Sequence, residues 1–144
     1  MPRTPRTQPI ALVVDDDVGL RKFAEMLAEA AGFRPETAAS GAEALSRVEA
    51  LDPAVVLLDL QMPGEDGIDV MHGMAKIKSR AKLVIFGHGR QTLDVAAEIA
   101  RQRGLSVAAA LPKPLAAGKL REVLARLSRE LCTFDEDRLQ ARVA

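Results

Sequence analysis

The run Val55-Val56-Leu57-Leu58 ends on a single carboxylate, Asp59, and a turn rich in Pro and Gly follows through Pro63, Gly64 and Gly67. A run that is apolar at every position has no polar side to show to water. It fits a strand of a parallel sheet, which helices cover on both faces. Asp59 then falls at the carboxyl end of that strand, where open α/β sheets gather their ligands. The same Asp, taken alone, fits a turn-initiating residue equally well. The rest of the chain has to decide.

Ile10-Ala11-Leu12-Val13-Val14 is a second apolar run, stopped by Asp15, Asp16 and Asp17. Leu20, Phe23, Ala24, Leu27 and Ala31 then recur at helical spacing, and Gly32 stands at a C′ position. Phe33 to Ala38 is a weaker strand, placed at a sheet edge because Pro35 cannot donate to a ladder. Ser40-Gly41-Ala42-Glu43 has the capping-box pattern, with Ala42, Leu45 and Val48 as the helical stripe behind it. After the Gly-rich turn, Ile68, Met71, Met74 and Ile77 mark a third helix, which Gly73 weakens. Leu83 to Phe86 is a buried-type strand closed by Gly87-His88-Gly89. A helix through Leu93, Ala96, Ala97 and Ala100 follows, then a strand from Val107 to Leu111. Pro112-Lys113-Pro114 leads into a last helix with Leu120, Val123, Leu124, Leu127 and Leu131 on one face. The pattern is β-α five times over, with connections that suit right-handed crossovers onto one parallel sheet.

A chain of 144 residues suits one domain with a proper core. Residues 1–9 read as a flexible leader, 10–131 as the domain, and 132–144 as a tail or short helix. Twenty basic and twenty acidic residues cancel, so no overall field favours nucleic acid or an anionic membrane. One cysteine, Cys132, makes no intrachain disulfide and fits a reducing compartment. With no signal-peptide pattern and no membrane-length apolar run, the expectation is a cytoplasmic protein. The long stripe of the last helix is compatible with a dimer, although one face must pack on the sheet in any case.

The alternation brings all five strand ends to one edge, carrying Asp15, Asp16 and Asp17, then Asp59, then Phe86-Gly87-His88, then Lys113. Carboxylates converging without a cation repel, and one of them must take a proton. A hard divalent cation relieves this, and carboxylates with a backbone carbonyl are the donors Mg2+ prefers. Lys113 adds a point charge for an anion beside the metal. Metal, nucleophilic carboxylate and lysine together suggest phosphoryl transfer to Asp. The plainer alternative is that the acidic run only caps the first helix. One Asp explains a cap; three exceed it.

Val13-Val14-Asp15-Asp16-Asp17, the stretch from Leu57 to Gly67, and Lys113-Pro114 resemble the receiver domain of two-component response regulators. The resemblance covers residues 10–131. It implies a flavodoxin-like, doubly wound (βα)5 fold with a five-stranded parallel sheet in the order 2-1-3-4-5. It implies that Asp59 accepts a phosphoryl group from a sensor histidine kinase or a histidine phosphotransfer protein. Asp16 would ligate Mg2+ directly and Asp15 through water, with Asp59 and the Gln61 backbone carbonyl as further ligands. Lys113 would pair with the phosphoryl oxygens across a cis bond to Pro114, beside Gly87, and Pro63 and Gly67 would shape the acceptor loop.

Two departures stand out. Receivers carry Thr or Ser at the end of the fourth strand, where this chain offers Phe86 or Gly87. They often carry Tyr or Phe shortly before the lysine, where this chain has Ala109 and Ala110. Phosphorylation is expected to survive, with an atypical switch. The Gly87-His88-Gly89 turn also looks like receivers that precede EAL-type cyclic-di-GMP phosphodiesterase domains. His88, Phe86 and the Gln61 side chain are candidate modulators of the phosphoryl group. His88 fits an exposed loop residue at least as well. The leading expectation is a signalling phosphoacceptor and not an enzyme, acting on an effector protein or a C-terminal output domain. Direct nucleic-acid or membrane contact is not expected. The alternative is a degenerate receiver that binds protein without phosphorylation. An aspartyl-phosphate enzyme of the haloacid-dehalogenase type needs an Asp where Gln61 stands, and no G-x-G-x-x-G follows the first strand for a dinucleotide.

Overall fold

The computed structural model describes residues 8–62 and 65–143, with side chains described for all of these but 65, 66 and 133–143. Pro63 and most of the leader read at residues 1–9 lie outside them. The strands are β1 (Ile10–Val14), β2 (Arg34–Ala38), β3 (Val55–Asp59), β4 (Gln61–Met62), β5 (Glu65–Asp66), β6 (Lys82–Gly87) and β7 (Ser106–Pro112). The helices are α1 (Val18–Ala30), α2 (Gly41–Leu51), α3 (Gly67–Lys76), α4 (Arg90–Gln102) and α5 (Ala117–Val143). Five parallel strands form the main sheet in the order β2-β1-β3-β6-β7, which is the 2-1-3-4-5 arrangement once the short hairpin β4-β5 is set aside.

Strand alternation sends the apolar run two ways. Val56 and Leu58 join Leu12, Val14, Leu83 and Ile85 under α2, α3 and α4. Val55 and Leu57 join Ala11, Val13, Val84 and Phe86 under α1 and α5. Both faces are therefore covered, which is why β3 tolerates no polar residue before Asp59. β2 lies at the edge, as Pro35 requires. Leu120, Leu124 and Leu127 of α5 are spent on the core. The helix runs on through residues 132–143 without a break.

Three local readings needed adjustment. Ser40 caps α2 by accepting from the Glu43 N–H at 3.2 Å, but Glu43 reaches back to the Ala39 N–H, one residue before the cap. The buried stripe of α2 is Gly41, Ala44 and Val48, and Ala42 faces solvent. Ile77 lies beyond α3 and is exposed, with Val70 inside in its place. Gly73 has a packing reason, since a Cβ there would stand 2.5 Å from Leu45 Cδ2 of α2. β7 shifts register against β6 between the Leu83–Val107 and Val84–Ala109 pairs. The residue passed over, Ala108, gives its carbonyl to Arg126 Nη2 of α5 at 2.8 Å.

Candidate functional site

The three acids after β1 divide their work. Asp17 caps α1, its Oδ1 accepting from the N–H groups of Gly19 (2.8 Å) and Leu20 (3.2 Å). That releases Asp15 and Asp16 from capping. Asp15 is buried and Asp16 exposed, and each offers a carboxylate oxygen within 4.8 Å of one from buried Asp59. The cap reading therefore holds for one acid of the three.

Asp59 is held from both sides of its strand end. Its Oδ1 accepts from the Gln61 N–H at 3.0 Å, and its Oδ2 lies 3.0 Å from Lys113 Nζ. Oδ2 is buried and accepts no well-aligned hydrogen bond, so the ammonium contact leaves acceptor capacity aimed into the acidic cleft. Lys113 Nζ is also 3.9 Å from Asp15 Oδ2. One ammonium thus serves two carboxylates and does not neutralise the third. Burial raises the Asp15 pKa from 3.8 to about 6, and the Asp59 and Asp16 charges push the same way against the Asp17 N–H bond and Lys113. Such a set of carboxylates, short of positive charge and with an orphaned oxygen, fits a hard divalent cation.

The backbone fixes this geometry. Leu60 N–H donates to Phe86 O (2.9 Å) and Lys113 N–H to Gly87 O (3.0 Å), so the ends of β3, β6 and β7 are tied together. The Lys113–Pro114 bond is cis. Gly67 is forced by a close approach, because a Cβ there would lie 2.7 Å from Leu60 Cα and 3.0 Å from Asp59 O. Gly87 has room for a β-carbon, which would meet Leu60 and Leu93 side chains no closer than 3.4 Å. Phe86, level with Asp59 in the sheet register, is 4% exposed and packs into the apolar cluster under α1 and α5. It is therefore a core residue, and neither Phe86 nor Gly87 brings a hydroxyl to this strand end.

Three contacts were missed from sequence. Arg21 Nη1 of α1 donates to the Asp15 backbone carbonyl at 2.8 Å and steadies the acidic turn. The Gln61 side chain turns towards the neighbouring loop, its Oε1 accepting from the His88 N–H at 3.3 Å. Gln61 and Met62 pair with Asp66 and Glu65 as a small antiparallel ladder. Gln61 and His88 each drew notice from their position, but no sequence signal joins them. His88 itself is exposed.

The family model for the response regulator receiver domain matches residues 11–125. This chain belongs to that family. Its relatives include the DNA-binding response regulator MtrA of Mycobacterium tuberculosis (strain H37Rv), 37% identical over 84 residues, which are 58% of this chain and 36% of that protein. A transcriptional regulatory protein CpxR homolog of Haemophilus influenzae is 34% identical over 118 residues, 81% of this chain and 47% of that protein. The receiver thus spans less than half the length of these curated relatives. Among solved structures, a response regulator from Colwellia psychrerythraea superposes with a TM-score of 0.75 at 27% identity, covering 85% of this chain and 98% of that one. The receiver domain of NtrX from Brucella abortus gives 0.69 at 26% identity, covering 83% and 98%. Two-component signalling is the setting of the family. No helix among the described residues is long and apolar enough to cross a membrane.

Proposed function

We propose that this receiver accepts a phosphoryl group on Asp59 from the phosphohistidine of a sensor histidine kinase or a histidine phosphotransfer protein. The observation that carries this is the buried, under-satisfied Asp59 Oδ2 facing Lys113 Nζ at 3.0 Å beside Asp15 and Asp16. Asp15, Asp16, Asp59 and the Gln61 carbonyl would hold Mg2+, which when bound offsets carboxylate repulsion and the charge of the incoming phosphoryl oxygens. An Asp59 carboxylate oxygen attacks phosphorus, the donor's P–N bond breaks with its electron pair passing to that ring nitrogen, and the imidazole, protonated on its other nitrogen beforehand, departs neutral. Lys113 leaves its contact with Asp59 Oδ2 to pair with a phosphoryl oxygen. The domain acts as a phosphoacceptor and not as an enzyme turning over phosphate esters, since Gln61 stands where the haloacid-dehalogenase type has its second Asp.

The phosphorylated domain signals through an altered surface, to an effector protein or to an output domain in a longer regulator. Relatives named as DNA-binding or transcriptional regulators favour an output on DNA as much as on protein. The expectation of no direct nucleic-acid contact finds no support in these relatives. The likeness of the Gly87-His88-Gly89 turn to EAL-associated receivers rests on that turn alone. A second reading, a binding module independent of phosphorylation, is favoured by one observation, the lack of a hydroxyl at Phe86 and Gly87.

Incubation with Mg2+ and acetyl phosphate, followed by intact mass measurement, separates the two. A single phosphate on the wild type and none on Asp59→Ala supports the phosphoacceptor. Demonstrated Mg2+ binding without any adduct supports the module. Lys113→Ala is expected to weaken the structural response to phosphorylation more than it weakens Mg2+ binding. Equal loss of both would show that Lys113 serves the metal site.

A further inference from the structure

At the opposite edge of the sheet, below the N-terminal ends of β6 and β7, two loops converge on a cleft of about 330 Å3. The α3–β6 connection supplies Lys78, Ser79 and Arg80, and the α4–β7 connection supplies Arg103 and Ser106. No acidic residue lines it, in a chain whose acids and bases are equal in number. Lys78, Arg80 and Arg103 form no ion pair with any described residue. Glu49 and Asp52 line an adjoining cleft that shares Lys78 to Arg80, so an anion is directed to the Arg103 side.

The hydroxyls point the same way chemically. Ser106 Oγ accepts from Lys82 Nζ at 3.1 Å, and Ser79 Oγ accepts from the Ala81 N–H at 3.3 Å. Each acceptor is engaged within the protein, which leaves the hydroxyl proton to donate to something else. The backbone gives a second, independent indication. Lys78 has φ +56 at the C′ position of α3, its N–H bonded to Ala75 O and the Ser79 N–H to Met74 O. That is a Schellman cap, whose left-handed residue is ordinarily Gly. Lys78 occupies a left-handed position where a glycine would fit with less strain, and it lines the cleft.

We propose that this cleft binds an oligophosphate, recognised by its phosphate chain and not by a base. Several cations and free hydroxyl protons around a small cleft suit adjacent phosphates. No aromatic side chain lines it for base stacking, and the chain has no Trp or Tyr. The ligand comes from either of two sources, the phosphate chain of a nucleotide or an inorganic polyphosphate. The site lies away from Asp59 and needs no phosphorylation.

The test is a titration with sodium tripolyphosphate, ATP and AMP in EDTA without Mg2+, followed by calorimetry and by amide chemical shifts. Saturable tripolyphosphate binding is expected, with shifts at Ser79, Arg80, Gly104 and Ser106. Lys78→Gly and Arg103→Gln should each weaken it about tenfold, the scale of one charge-assisted hydrogen bond. Lys78→Gly should not lower Tm, because it relieves the strained cap, so its lost affinity is not a folding defect. ATP binding equal to tripolyphosphate supports recognition of the chain alone, and tighter ATP binding supports the site with a nucleotide as its source. AMP binding as tightly as tripolyphosphate, shifts centred on Lys113, or variants that bind like the wild type would each overturn the proposal.

Discussion

Asp15 shows how a single residue records the needs of the whole site. Its folded-state pKa of about 6 stands above the ordinary 3.8, mainly through burial. The folded protein therefore binds the Asp15 proton more tightly than the unfolded chain does. The stability this gives is complete below 3.8 and is lost as pH rises through about 6. In the metal-free protein, Tm should fall between pH 4 and 6.5 by more than it falls in Asp15→Asn. A thermal melt series checks this. At pH 7 the same variant should be more stable than the wild type by roughly 1–2 kcal/mol without Mg2+. It should also gain less than the wild type when Mg2+ is added. An equal Mg2+ response in both would remove Asp15 from the metal site.

Among the elements, the turn from β3 into α3 packs closely around Asp59. Gly67 lies under Leu60 and the Asp59 carbonyl so closely that a methyl group has no room against backbone. Gly67→Ala should cost about 2–3 kcal/mol in denaturant unfolding, beyond the small gain alanine brings to a helix. Gly73→Ala should cost less, because it meets only the end of the flexible Leu45 side chain. Much at this scale was legible in sequence. Continuous apolar runs mark two-sided burial, Pro35 marks an edge, and Ser40 and Gly32 mark helix ends. Ala42 and Ala44 are indistinguishable by type, so the phase of α2 depended on packing against β1 and α3. The β4-β5 ladder was hidden because it is two residues a side and sits in a stretch that Pro and Gly mark as a turn.

For the molecule as a whole, the acidic cleft could be read from residue types alone. Asp15 and Asp16, Asp59 and Lys113 at strand ends converge in a parallel sheet of this order. The contacts between the loops around that cleft could not, because they depend on how two separate turns meet. Gln61 Oε1 and the His88 N–H join the loop after Asp59 to the β6–α4 turn, where receivers ordinarily use a hydroxyl. Ala109 and Ala110 offer no ring to reorient on β7. With beryllium fluoride and Mg2+ as a phosphoryl mimic, amide shifts should concentrate at Asp15, Asp59 to Gln61, His88 and Lys113. Changes at Ala109 and Ala110 should be small, and Gln61→Ala should remove the shift at His88. Large movement across the α4–β7 face would mean that another residue performs the work of the missing aromatic.

The central claim is that Asp59 itself carries the phosphoryl group. The direct measurement is to phosphorylate the protein from a phosphohistidine donor with Mg2+, reduce the acyl phosphate with borohydride, and map peptides by mass. An aspartyl phosphate at Asp59 is converted to homoserine at that position and nowhere else, which is the result expected. Homoserine at another Asp, or none from protein shown to bind Mg2+, would contradict it.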